Sequence, residues 1–76
     1  MLYRIDADYQ GRVRTFEIEV KDGENVITLA RKKLVKIIKS IYYDFCQLER
    51  IPYEEQEAEI RAEEAVGQTR ISFRPA

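Results

Sequence analysis

Histidine and tryptophan are absent from this 76-residue chain, cysteine and methionine occur once each, proline twice and glycine three times. Each shortage removes a class of chemistry. Without histidine there is no Ser-His or Cys-His nucleophile pair, and the commonest general base is gone. A single cysteine forbids an intramolecular disulfide, and with no histidine beside it there is no soft-ligand set for a structural zinc. Both usual staples of a small domain are missing, so packing or self-association must supply its stability. Gly11, Gly23 and Gly67 stand singly, as turn residues do, and form no phosphate-cradling loop. No apolar run approaches the roughly 20 residues that cross a bilayer. The opening Met1-Leu2-Tyr3-Arg4-Ile5-Asp6 carries charges inside its first apolar stretch and reads as a strand, not a signal peptide. With Cys46 unpaired, a cytoplasmic protein is expected, without cofactor, metal or membrane partner.

What is present is enough apolar and aromatic bulk for one small core, arranged in three periods. Tyr3, Ile5, Ala7 and Tyr9 alternate with Arg4, Asp6 and Asp8, the period of a half-buried strand. Gln10-Gly11 suits a tight turn, after which Phe16, Ile18 and Val20 alternate with Glu17 and Glu19. Val13 breaks that parity and predicts either a bulge or a small exposed valine. Residues 2–21 therefore form a β-hairpin. From Val26 to Leu48 the apolar positions switch to helical spacing, within about 100° of arc, with Leu34, Ile41 and Phe45 near its centre. This predicts one long amphipathic helix over residues 25–50, capped at Glu24 or Asn25 and stopped ahead of Pro52.

Residues 52–66 admit two readings. Pro52 at a first helical position, early acids and Gly67 as a stop favour a helix. The alternation of Ala58, Ile60 and Ala62 favours a strand. Over residues 68–74, Thr69, Ile71 and Phe73 alternate with Arg70, Ser72 and Arg74, a last strand ended by Pro75. The order β-β-α-(α or β)-β makes a single α+β domain: an antiparallel sheet covered on one face by the long helix.

Four side-chain sets could carry function. Glu54, Glu55, Glu57, Glu59, Glu63 and Glu64 crowd eleven residues, a candidate surface for a basic protein partner. They lack the loop that would make a calcium site. Lys32, Lys36, Lys39, Tyr43 and Arg50 line the helix face away from the core, a candidate track for nucleic-acid phosphates. The near-neutral balance of 13 basic and 14 acidic residues argues against that second use. Val35, Tyr42 and Cys46 widen the apolar arc on one flank and are the candidate surface of a homodimer. Finally, charge is segregated: residues 24–51 carry six basic and three acidic side chains, net +3, and residues 52–66 carry six acids and Arg61, net −5. Those segments can neutralise each other or face a partner.

The expectation is a non-enzymatic protein-interaction module, an adaptor, regulator or inhibitor. Its small size and acidic patch are shared by phage and mobile-element accessory proteins that block host nucleic-acid-processing enzymes. Direct nucleic-acid binding through the basic helix face is the alternative.

Overall fold

The turn at Gln10 and Gly11 has positive φ at both positions, 52° and 83°, in a computed structural model that describes residues 1–76. That is the type I′ geometry whose twist matches the right-handed twist of paired strands. Glycine adopts it freely, and the Asp8 carboxylate steadies it by accepting the Gly11 N–H at 2.9 Å. The turn joins β1 (Leu2–Tyr9) to β2 (Arg12–Glu19) in an unbroken ladder from Leu2↔Glu19 to Tyr9↔Arg12. No bulge is needed at Val13, which lies opposite Asp8 on the outer face and is 62% exposed. Arg12 and Arg14 take the inward positions at the hairpin tip instead, opposite Tyr9 and Ala7.

The last strand, β3 (Arg70–Pro75), pairs antiparallel with β1, giving the order β2-β1-β3. Phe73 lies opposite Ile5 and Ile71 opposite Ala7, so the apolar residues of all three strands share one face. Pro75 is tolerated because it ends an edge strand.

Helix α1 (Val26–Glu49) starts at Asn25, whose extended backbone and Oδ1 acceptor bind the Thr28 N–H at 3.0 Å. Glu24 serves the turn before it, accepting from the Lys21 N–H. The helix ends with Arg50 left-handed at φ 56°. The Arg50 N–H reaches the Gln47 carbonyl and the Ile51 N–H reaches the Cys46 carbonyl. This is a Schellman closure with arginine where glycine is usual, and Pro52 prevents continuation.

Residues 52–66 resolve in favour of a helix, α2 (Glu55–Gly67). It starts three residues after Pro52, which therefore lies outside the first turn. Tyr53 folds back onto α1, with its ring 6.0 Å from Tyr42 and 5.2 Å from Tyr43 between centroids. The apparent strand alternation has a helical explanation. Ala58 and Ala62, four residues apart, are both fully buried, while Ile60 points the other way and is 55% exposed.

Only ten residues are buried, a core as small as this length implies. Ile5, Ile18, Val20 and Ala30 bind the start of α1 to the sheet. Leu34 packs with Ala7 of β1 and Val66 of α2, tying three elements together. Cys46, Ala58 and Ala62 are small enough for α1 and α2 to approach closely.

The apolar arc of α1 is only partly used. Leu34 is buried, yet Ile41, Phe45 and Leu48 are 48%, 49% and 83% exposed. A 24-residue helix is about 36 Å long, and an eight-residue strand about 26 Å. The helix therefore overhangs the sheet past the hairpin tip, in a molecule 41 Å long and 18 Å across its thinnest axis. Arc position predicts burial only where there is something to be buried against.

Candidate functional site

Helix α2 sorts the six acids into two sets. Glu55 accepts a hydrogen bond from Lys39 Nζ of α1 and another, at 2.9 Å, from the Tyr53 hydroxyl. Glu57 accepts from Arg61 Nε at 2.8 Å one turn on, and the Arg61 guanidinium lies 5.2 Å from the Tyr42 ring centroid. These acids are occupied inside the fold. The same contacts shift the groups that make them. Lys39, with Tyr53, holds the Glu55 carboxyl below its ordinary value, and the same bond raises Lys39. Burial, then the bond to Glu55, pushes the Tyr53 phenol up. Contact with the Cys46 sulfur, then burial, raises Tyr42, and the bond to Glu57 raises Arg61 further.

Glu54, Glu59, Glu63 and Glu64 form the other set and make no ion pair or side-chain hydrogen bond. At 100° per residue, Glu59, Glu63 and Glu64 surround Ile60 on the face of α2 opposite Ala58 and Ala62. The result is an exposed aliphatic side chain bordered by three unpaired carboxylates, with the Glu57–Arg61 pair on its remaining side. Their outward splay gives no group of acids able to hold a metal ion. In the sequence Ile60 reads as part of a strand-like alternation with Ala58 and Ala62; the helix turns it outward among the acids.

The basic stripe is less continuous than its spacing implies. Lys39 is committed to Glu55, and Tyr43 packs edge-on against Tyr53. Lys32 and Lys36 border a shallow hollow with Lys33, but Glu17 and Glu19 form its other side. Lys33 itself donates to the Glu17 carbonyl at 2.8 Å and lies over the Phe16 ring. Arg50 stands apart, at the left-handed end of α1. A phosphate chain following this stripe would meet carboxylates at both Glu17/Glu19 and Glu55.

The flank of Val35, Tyr42 and Cys46 is not an open surface. Cys46 has no exposed area, and Val35 and Tyr42 are half-buried, because α2 lies along that side of α1. The spare apolar surface of α1 is at the centre of its arc but past the end of the sheet, at Ile41, Phe45 and Leu48. Sequence reasoning also missed the cluster that sets the corner between the helices. Tyr53 touches Tyr42 and Tyr43, and Phe45 stacks on Tyr42 at 6.4 Å. The signal for it was Tyr53 directly after Pro52, one corner away from a Tyr-Tyr pair.

No helix is long and apolar enough to cross a membrane. No protein-family model, curated protein or solved structure matches the chain.

Proposed function

We propose that this chain is a cytoplasmic, non-enzymatic protein-interaction module, working as a homodimer, that binds a basic protein surface through the outer face of α2. The observation that carries the reading is the exposed Ile60 beside Glu59, Glu63 and Glu64, none of which closes an ion pair within the fold; Lys39 lies near Glu59, and Arg31 and Lys32 share a hollow with Glu63. An apolar anchor in a ring of like charge is how small interfaces combine affinity with steering. The anchor provides desolvated contact, and the ring raises the encounter rate and rejects acidic surfaces. In its narrowest form the partner is a host nucleic-acid-processing enzyme, blocked by an accessory protein of a phage or mobile element. A phosphate-binding cleft is itself the basic, partly apolar surface that such a ring fits.

The test is an NMR titration of the labelled protein with a lysine-rich amphipathic helical peptide. Amide shifts are expected at residues 59–64, reduced by 0.5 M salt and absent in the Glu59→Lys, Glu63→Lys, Glu64→Lys triple variant. Shifts confined to other faces, or unchanged in the triple variant, would remove α2 from the function.

A further inference from the structure

The overhang of α1 leaves a groove of about 440 Å³ between the helix and the hairpin tip, lined by Ala7, Tyr9, Arg12, Arg14, Ile38 and Ile41 among others. From the same edge the exposed stripe continues outward over Phe45 and Leu48, in the 4-3 spacing of helix–helix seams (Leu34, Ile38, Ile41, Phe45, Leu48). We infer that the occupant of this groove is the overhanging end of α1 from a second copy of the chain, the two copies related by a two-fold axis close to Ile41. This specifies the surface of the homodimer and rests on the dimeric part of the reading above.

Three observations favour a second copy. The first is charge. Arg12 and Arg14 point to the helix side of the sheet at the groove, and neither has an acid within the fold. Asp44 and Glu49, equally unpaired, flank the Phe45–Leu48 stripe about 70° to either side. A basic-rimmed groove and an acid-flanked ridge on one chain are self-complementary. The second is geometry. Ile41 belongs to both groove and ridge, so an axis beside it lays each ridge on the other copy's groove, as an isologous interface requires. The third is area. Tyr9, Ile38, Ile41, Phe45 and Leu48 leave on the order of 500 Å² of apolar surface exposed per copy. Two copies cover at most about 1,000 Å² of this apolar surface, to which the polar rim adds in reaching the size of a specific interface. Phe45 is held in place by Tyr42, which limits what it loses on ordering. The outer face of α2 lies away from this surface, so each dimer presents two acid-ringed isoleucines and can engage a repetitive basic partner bivalently.

Sedimentation equilibrium of the full chain tests the assignment. The wild type is expected to dimerise with a dissociation constant on the order of 10 μM. Leu48→Lys, at a position 83% exposed, should raise that constant at least tenfold with an unchanged circular dichroism spectrum. The pair Arg12→Glu, Arg14→Glu should weaken association similarly, and adding Asp44→Arg, Glu49→Arg should restore it. A wild type still monomeric at 0.5 mM overturns both the dimer and this surface, leaving the groove to another occupant. A dimer indifferent to Leu48→Lys and to the arginine reversals overturns this surface alone.

Discussion

Truncating Leu34, Phe45 and Leu48 to alanine one at a time measures where along α1 the protein is held together. All three lie on one apolar stripe, so sequence periodicity assigns them similar costs. The structure does not. Leu34 is 4% exposed and packs against Ala7 and Val66, so Leu34→Ala removes a fully desolvated side chain and opens a cavity where three elements meet. The expected cost is about 3 kcal/mol. A chain of this length has roughly 4–11 kcal/mol of stability in all, so this one change removes between about a quarter and three quarters of it. Phe45, half exposed and resting on Tyr42, should cost about 1–2 kcal/mol. Leu48 should cost less than about 0.5 kcal/mol. Urea unfolding followed by circular dichroism at 222 nm reads these differences. With a slope of about 1 kcal/mol/M, Leu34→Ala moves the midpoint down by about 3 M and Leu48→Ala by under 0.5 M. The measurement belongs at about 1 μM protein, below the concentration at which copies associate. If Leu48→Ala is as damaging there as Leu34→Ala, the end of α1 is covered within a single chain and the overhang is wrong.

Three other outcomes follow from particular contacts. Arg50→Gly relieves a left-handed arginine at the α1 terminus and should raise stability by about 0.5 kcal/mol, seen as a higher thermal midpoint; a drop would mean the arginine side chain has a role its geometry does not show. Cys46 has no exposed surface, so reaction with a thiol-specific chromogenic disulfide should proceed at the rate of opening and accelerate only through the urea transition; immediate labelling of the native protein would place α2 elsewhere. Glu55, lowered in the folded state from an ordinary 4.5 by Lys39 and Tyr53, adds stability above about pH 4.5 that is lost as pH falls through its folded value. Lys39, raised from 10.5, adds stability below that pH which is lost on the alkaline side. Glu55→Gln should therefore flatten the fall in midpoint below pH 4.5, and an unchanged acid limb would show the pair is not formed in solution.

Local pattern carried most of the secondary structure because each element announces itself within a few residues. Period-two alternation defined β1 and β2, Gln10-Gly11 their turn, and Asn25 and Pro52 the limits of α1. Where pattern was ambiguous, a neighbour distant in sequence decided. Val13 left a choice between a bulge and an exposed valine, and the exposed valine is what forms, with Arg12 and Arg14 facing inward. They can do so because the helix above them leaves a groove and no closed core. Ala58, Ile60 and Ala62 alternate like a strand, yet two small residues one turn apart also describe a helix pressed onto another helix. The acid cluster was visible at once, but not its division. Which carboxylates meet Lys39 and Arg61, and which are left around Ile60, depends on how α2 is rotated against α1.

The sequence by itself left residues 52–66 open between helix and strand, but it determined the α+β class, the hairpin, the long helix and the last strand, and the exclusions that follow from having no histidine and one cysteine. Those depend on composition and on interactions between residues a few positions apart. Tertiary structure decided which apolar surface is spent. The arc of α1 is one stripe in sequence, but α2 covers the flank of Val35, Tyr42 and Cys46, and the sheet ends before Ile41, Phe45 and Leu48. Burial is a property of two surfaces meeting, and only the relative lengths and placement of helix and sheet fix where they meet.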